Sequence, residues 1–567
     1  MRLHPFTLPN PIAPLHGVAL VLCLVVFLLP ATGSHAARPG IGGEIPIRIE
    51  IEDRAQLEDL TKIVSIDDAR GLEVWAAATP EQLVRLHAAG FRWEVLASAK
   101  AKTAAMCPAG WEADPDRAWS CYPSYQQYTL LMQRFVAEHP GLCRLMDLGA
   151  GNNTVNPHHL WALVISDNPD LDEDEPEVLL TSSMHGDETT GFVLMLRLID
   201  ELLNGHGSDP DLTALVEETE IWINPLANPD GAYLGGDDNL SGAIRYYTTT
   251  TGEDSGVDPN RNFPDPSAGD HPDRSLWWWP ETEAMMALAE ERSFVLSVNF
   301  HDGVEVVNYP WDTWERRHPD DAWFRMLARA YADLAQADSP GGYMTDFEDG
   351  ITNGYDWYQI RGGRQDFMTY FHGGREVTIE LSHTKLLPAE ALEDYWQWNR
   401  RALLDFITHA HEGIRGLVTN ADGAPLAATV EVVGRDVPAN GSFVRTDPAV
   451  GDYHRLLLPG TYDLRFRSAG YFRLEISGIP VVEGEATAVD AVLHPMPVRT
   501  LGRRLAPVVP EGKATFPARI SHRVPSRGRR GAVHSGVFDP EVRSGSPVLS
   551  ADGARAPRSR RSEESMP

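Results

Sequence analysis

Four cysteines in 567 residues are too few for a disulfide-built scaffold. One of them, Cys23, lies in the apolar N-terminal stretch. Cys107, Cys121 and Cys143 remain for the mature chain, which allows one disulfide and one leftover thiol without saying which pair forms. None adjoins the histidine and glutamate motifs described below, so thiolate ligands are excluded from them. Long apolar runs are scarce too. The run from Gly17 to Leu29 is too short for a membrane span. With Arg2 before it and Ser34-His35-Ala36 after it, it reads as a signal peptide over residues 1–36. No later stretch is long and apolar enough to cross a bilayer, so the expectation is a secreted chain, extracellular or periplasmic, with no membrane span after signal removal. Positive charge is also in deficit, with 49 Lys and Arg against 81 Asp and Glu and a net charge of −32. The imbalance is local: residues 499–567 carry 14 Lys and Arg against six Asp and Glu, which leaves −40 on residues 1–498. A body this acidic argues against nucleic acid as a partner and suits attraction of basic peptides. The acidic run Asp167 to Pro176 lacks the spacing and glycine of an EF-hand and reads as a solvated loop.

What is present centres on Thr181 to Gly191, TSSMHGDETTG. Val178 to Thr181 reads as a buried strand and Gly191 to Leu203 as a helix, so the turn between them aims His185 and Glu188 at one point. An imidazole and a carboxylate three residues apart suit a Zn²⁺ ion, which takes a third protein ligand and keeps a position open for water. The pair alone is a weak signal. Its weight comes from a series that follows in order: Asn228-Pro229-Asp230-Gly231, then Gly256 to Phe263 (GVDPNRNF), then His301-Asp302-Gly303 after the apolar strand Phe294 to Phe300. Beyond these lie Asn308 to Asp312 (NYPWD), Asn353 to Tyr358 (NGYDWY), Gly362 to Asp366 (GGRQD) and Glu376 to Ser382 (EVTIELS).

This series resembles the zinc metallocarboxypeptidase family, and within it the carboxypeptidase N/E (regulatory) group. The resemblance spans roughly Tyr122 to His411. It implies one Zn²⁺ per chain, held by His185, Glu188 and His301, that activates water and polarises a peptide carbonyl. It also implies Glu380 as the general base and Arg245 as the group facing the oxyanion. Asn260 and Arg261 match the pair that reads a free C-terminal carboxylate, for which a guanidinium fork is well shaped. Tyr358 matches the tyrosine that closes over the terminal residue. Asp312 and Gln365 match polar positions of the terminal-residue pocket, which favours Lys or Arg. The expected partners are therefore peptide or protein C-termini. Three positions depart from the group's pattern: Asp302 where a glycine is usual, Asp187 where asparagine is usual, and Arg364 beside Gln365. Two other readings stand beside this one. A zinc amidase or deacylase acting on amino-acid conjugates or peptidoglycan stems should lack the Asn-Arg-Tyr reader, and a non-catalytic peptide-binding relative should lack a ligand or the base.

The expected fold class is α/β: a mixed, mostly parallel sheet with helices on both faces, followed by a small all-β sandwich. Residues 119–411 form the catalytic segment, in which apolar strands alternate with amphipathic helices such as Gln126 to Glu138, Glu281 to Glu290 and Ala389 to Thr408. Sites in such sheets lie at the carboxyl ends of strands, where His185, His301 and Glu380 all fall. Residues 44–97 read as a small βαβαβ module, its second helix signalled by Thr79, Pro80, Gln82 and Gly90. The module occupies the position of a folding or inhibitory pro-segment in many metallocarboxypeptidases, and a permanent structural domain is the other reading. Residues 98–118 read as linker. Residues 412–495 show period-two alternation with Asp422-Gly423 and Pro459-Gly460 turns, and resemble the transthyretin-like domain of the N/E group as an antiparallel sandwich. Residues 496–567, rich in Pro, Arg, Gly and Ser, read as a basic disordered tail.

Overall fold

The computed structural model describes residues 45–96, 103–273 and 275–497. The signal peptide and nearly all of the basic tail read from the sequence lie outside the described residues. No helix among the described residues is long and apolar enough to cross a membrane.

The N-terminal module runs β1 (Ile45–Glu50), α1 (Gln56–Leu60), β2 (Ser65–Arg70), β3 (Glu73–Ala78), α2 (Pro80–Ala88) and β4 (Arg92–Val95). Its four strands lie in the order β2-β3-β1-β4 with every neighbouring pair antiparallel. This is the connectivity of a split βαβ unit, and it contains one strand more than the sequence pattern indicated. The extra strand, β2, reads SIDDAR. Two aspartates and an arginine hide its strand character, because its burial comes from a neighbouring domain as well as from its own module. Its register with β3 slips between Ile66 and Asp68, so Asp67 sits on a bulge, a device that re-aims a side chain. Helix α2 starts as expected: the Thr79 side chain accepts the Gln82 N–H, the Gln82 side chain accepts the Thr79 N–H, and Pro80 fills the first turn.

The central body is an eight-stranded sheet formed by β5 (Cys143–Ala150), β6 (His159–Ile165), β7 (Glu177–Ser182), β8 (Glu220–Asn224), β9 (Leu296–His301), β10 (Val306–Tyr309), β11 (Ile351–Asn353) and β12 (Arg375–Glu380). The order is β11-β10-β12-β9-β7-β8-β6-β5, with β12, β9, β7 and β8 a parallel centre. Every residue of β7 and β9 is buried, as expected for strands covered on both faces. Val178 and Leu180 face a core shared with α3 (Tyr125–Glu138) and α4 (Thr190–Gly205), whereas Leu179 and Trp222 face the opposite layer with α5 (Pro280–Glu291). The mixed, mostly parallel sheet with helices on both faces is therefore observed.

Residues 103–118 do more than connect. Cys107 is bonded to Cys121, and Ala104 and Trp111 are buried in the main core, while Cys143 remains a free, buried thiol.

The C-terminal sandwich packs two four-stranded sheets. One contains β13 (Gly413–Asn420), β16 (Asp452–Arg455), β19 (Ala486–Ala488) and β20 (Ala491–Leu493). The other contains β14 (Thr429–Val432), β15 (Val444–Arg445), β17 (Gly460–Arg467) and β18 (Leu474–Val481). Strand β13 runs parallel to β19 and β20, so the sandwich is not wholly antiparallel. Asp320 ties it to the central body, the part the sequence analysis expects to be catalytic. This buried carboxylate meets Arg375 at 2.9 Å, Arg455 at 2.8 Å and Arg435 at 3.1 Å. Burial alone would raise its pKa, but these guanidinium groups outweigh it and hold the carboxyl far below the usual range. Arg375 begins β12, the strand that ends in Glu380, so the sandwich is anchored to a strand of the site.

Candidate metal centre and substrate cleft

His185 and Glu188 lie in the turn that leaves the carboxyl end of β7, and His301 ends β9, distant in sequence but adjacent to β7 in the sheet. His185 Nδ1 is 3.0 Å from Glu188 Oε1, His301 Nδ1 is 2.8 Å from Glu188 Oε2, and the two Nδ1 atoms are 3.1 Å apart. All three side chains are buried and their donor atoms fall within 4.8 Å of one another. Two imidazole nitrogens and a carboxylate facing one point fit a zinc ion's preference for mixed N and O ligands. The surrounding groups also fit. Asp258 Oδ1 lies 2.9 Å from His185 Nε2 and the Asn299 amide 2.6 Å from His301 Nε2, partners that would orient the two rings. Burial pushes His301 down to about 4, leaving a neutral ring suited to coordination. Burial opposes ionisation of Glu188, but His185 and His301 outweigh it and hold the carboxyl well below its ordinary range.

Glu380 ends β12, directly opposite His301 in the parallel pairing with β9. Its Oε2 is buried with no hydrogen-bond partner among the described residues. Burial, reinforced by the Glu188 and Asp302 carboxylates, raises Glu380 well above the usual range. Arg245 is 4% exposed and donates from Nη1 to Glu188 Oε1 at 3.0 Å and from Nε to Asp258 Oδ2 at 3.3 Å. Asn260 and Arg261 form a short turn fixed by Asp258, whose Oδ1 accepts the Asn260 N–H at 2.8 Å. Arg261 donates from Nη1 to the Asn260 carbonyl at 2.8 Å, while its Nη2 is buried without a partner among the described residues.

Asp312 Oδ1 accepts from Asn308 and Gln365, each at 3.1 Å, and burial raises the Asp312 carboxyl to about 6. Asn308 Oδ1 and Gln365 Oε1 are left buried and unpartnered among the described residues, so this pocket offers acceptors in excess of donors. Gly354 is required beside it: a Cβ there would lie 1.7 Å from Asp312 Oδ1. The sequence departures are also placed. Arg364 turns away from Asp312 and pairs with Glu376 at 2.9 Å. Asp302 Oδ2 accepts the Thr190 N–H at 3.0 Å, taking the place of a cap at the start of α4. Asp187 meets Lys385 at 3.2 Å.

Thus His185, Glu188, His301, Glu380, Arg245, Asn260, Arg261, Tyr358 and Asp312 line one cavity, with Gln365 bonded to Asp312 behind it. The sequence pattern missed Asp258, Asn308, Asp67 and Lys385. Asp258 was legible in principle, two residues before Asn260 in a motif already singled out. Asp67 was not, because it comes from the other module. Strand β2 enters the mouth of this cavity. The Tyr358 hydroxyl donates to the Ile66 carbonyl at 3.1 Å, Trp357 Nε1 donates to Asp68 at 3.2 Å, and Ser65 hydrogen-bonds Asp258. Asp67 reaches Arg245 at 3.3 Å and Lys385 at 2.8 Å. Trp357, Tyr358 and Ile360 complete the module's hydrophobic core. About 20 Å³ of free space is left around the metal donors, little more than one water occupies. A wider cleft of about 590 Å³ between the module and the central body opens onto the other side of Arg261.

The zinc carboxypeptidase family matches residues 128–402, and the carboxypeptidase regulatory-like domain matches residues 413–494. Among curated proteins, the carboxypeptidase N catalytic chain of Homo sapiens is 35% identical over 384 residues, covering 61% of this chain and 80% of that protein. Carboxypeptidase M of Mus musculus is 34% identical over 331 residues, covering 56% of this chain and 72% of that one. Carboxypeptidase D of Anas platyrhynchos is 38% identical over 364 residues, covering 61% of this chain but only 25% of that protein, so the chain spans about a quarter of that larger relative. Among solved structures, carboxypeptidase A from Helicoverpa armigera superposes with a TM-score of 0.51 at 16% identity, covering 65% of this chain and 97% of that one, a likeness of fold.

Proposed function

Because the chain belongs to the zinc carboxypeptidase family, we propose that it is a secreted enzyme that removes the C-terminal residue of peptides or proteins, with a preference for Lys or Arg. The observation that carries this reading is the buried Nη2 of Arg261, unpartnered among the described residues and in the same cavity as His185, Glu188 and His301. A buried guanidinium nitrogen left without an acceptor costs stability unless a ligand completes it, and a terminal carboxylate does so. Zinc held by His185, Glu188 and His301 would polarise the scissile carbonyl and activate water. Asn260 and Arg261 bind the terminal carboxylate, and the Tyr358 hydroxyl closes over the terminal residue once released from Ile66. Glu380 takes a proton from the attacking water and passes it to the leaving amine nitrogen. Arg245 faces the carbonyl oxygen as it gains charge.

Residues 44–97 act in this reading as an inhibitory cover. Ile66 and Asp67 fill the space a substrate backbone needs, and Tyr358 and Arg245 are both engaged by β2. The first test is a panel of peptides ending in Arg, Lys, Leu, Phe or Glu, assayed with zinc and then after exhaustive chelation, on the wild type and on Asp67→Asn. Zinc-dependent release of the terminal residue is expected. Release that persists after metal removal, or equal rates on amidated peptides, would overturn the proposal.

The basic preference depends on Asp312. Truncating one partner of a desolvated charge pair costs about 2–5 kcal/mol, so Asp312→Ala should slow Arg-ended substrates by roughly thirtyfold or more and leave Leu-ended ones nearly unchanged. A pH dependence follows from the same group. Its carboxyl is raised to about 6 by burial, so it is neutral below that pH and charged above it. The ratio of kcat/KM for Arg over Leu termini should rise from pH 5 to pH 7.5, and groups common to both reactions cancel in that ratio. A flat ratio in the wild type would refute Asp312 as the selector.

A further inference from the structure

Lys385 belongs to none of the roles given above, yet its ammonium lies beside the metal donors. Its backbone carbonyl accepts both the N–H and the hydroxyl of Thr189, at 2.9 and 3.2 Å. Thr189 directly follows Glu188, so the position of Lys385 is locked to the metal-binding turn. Its Nζ lies 2.8 Å from Asp67 Oδ1, 3.2 Å from Asp187 Oδ2 and 3.7 Å from Glu188 Oε1. Arg245 Nη1 lies 3.3 Å from the same Asp67 Oδ1 and 3.0 Å from Glu188 Oε1. One oxygen of a carboxylate therefore bridges two cations next to the metal donors. That carboxylate arrives on a bulge of another module and contributes nothing to the central body's own fold.

Two largely buried cations that converge on one carboxylate oxygen make a place for an anion. We infer that Arg245 and Lys385 together form an anion subsite beside the metal centre, that Asp67 occupies it as an internal anion, and that the carboxylate generated by peptide hydrolysis takes it when the module moves aside. The inference rests on the carboxypeptidase reading of the site. In hydrolysis the carbonyl carbon loses its bond to nitrogen and gains one to the water's oxygen, the proton goes to the amine, and the shortened peptide is left with a new carboxylate. Charge builds first on the carbonyl oxygen and then spreads over both oxygens of that group. Arg245 supplies one fixed cation for it, and Lys385 a second. Asp187 explains why lysine serves here: it holds one N–H of the ammonium and leaves others for the anion. The departure at Asp187 is thus a positioning partner for Lys385.

The test uses the zinc-loaded full chain as wild type, Asp67→Asn, Asp67→Asn with Lys385→Met, and Asp67→Asn with Lys385→Arg. Two measurements are made: kcat and KM for benzoylglycylarginine, and, with Arg261→Ala added to every chain so that the terminal-carboxylate reader is removed, calorimetric binding of N-acetylglycylglycine against its C-terminal amide. Asp67→Asn should raise kcat/KM and tighten binding of the free carboxylate. Adding Lys385→Met should cut both kcat and carboxylate binding by at least about tenfold while leaving binding of the amide nearly unchanged, and Lys385→Arg should restore most of the loss. Carboxylate binding that is indifferent to Lys385→Met overturns the inference, as does an equal loss in the Met and Arg variants, which would make Lys385 a structural tether. If no variant hydrolyses the peptide but carboxylate binding still depends on Lys385, the subsite stands and the carboxypeptidase reading falls. If the peptide is hydrolysed equally well with and without the Lys385 ammonium, the carboxypeptidase reading stands and the subsite falls.

Discussion

Glu380→Gln should keep its zinc and lose roughly 10²–10⁴-fold in kcat, the range typical of removing a positioned general base. The substitution preserves size and removes only the ability to take a proton. Glu380 is not among the three converging metal donors, and its Oε2 is buried without a partner among the described residues. Metal analysis and circular dichroism should therefore match the wild type while turnover collapses. KM should move little, because the glutamine makes no contact with the terminal carboxylate or the side-chain pocket. Turnover of the glutamine variant near the wild-type rate would transfer the base to another residue. The burial that raises Glu380 above the ordinary carboxylate range makes it a stronger proton acceptor than an exposed strand carboxylate.

Arg261→Ala should lower kcat/KM on free-ended peptides by roughly 10²–10³-fold, since in the proposed reading it removes the charged partner of a desolvated carboxylate. Arg261 is 8% exposed and its Nη2 has no other acceptor among the described residues, so the loss should fall on substrate binding more than on folding. Amidated peptides, poor for the wild type, should be no worse for the variant. The comparison of the two substrate forms isolates the charge: a similar loss on both would point to a collapsed turn around Asp258 and Asn260 instead of a lost ion pair. Arg261→Lys should recover only part, because an ammonium cannot bind the two oxygens with the geometry of a guanidinium.

Much of this site was legible because zinc chemistry needs particular residue types at the ends of strands. His185 and Glu188 sit three apart in one turn, and the apolar runs of β7 and β9 already indicated buried central strands. Asn260, Arg261 and Asp312 were found through the order of several short motifs. The orientation of Arg364 was not legible. Its neighbour Gln365 does reach Asp312, but the helical turn that begins at Arg364 sends the two side chains apart, and Arg364 meets Glu376 on the sheet's buried face. Asp302, a departure from the expected glycine, likewise has a role no local pattern shows: it caps α4 while its charge adds to the upward shift of Glu380. Side-chain direction within a turn is set by what packs around it, and no local pattern encodes that.

The sequence by itself determined the α/β class and the β-rich C-terminal unit, since periodicity is a local property, and the order of its motifs singled out the three side chains that the structure brings within 4.8 Å of one another. Only the tertiary structure decided what the N-terminal module does at the site. Strand β2 carries too much charge to announce itself, and its Asp67 gains meaning only when the bulge sets it between Arg245 and Lys385, which lie 140 residues apart in the chain. Such a juxtaposition costs the chain nothing locally and leaves no periodic trace. It is fixed by the hydrophobic core that the module completes with Trp357, Tyr358 and Ile360, contacts nearly 300 residues distant from β2.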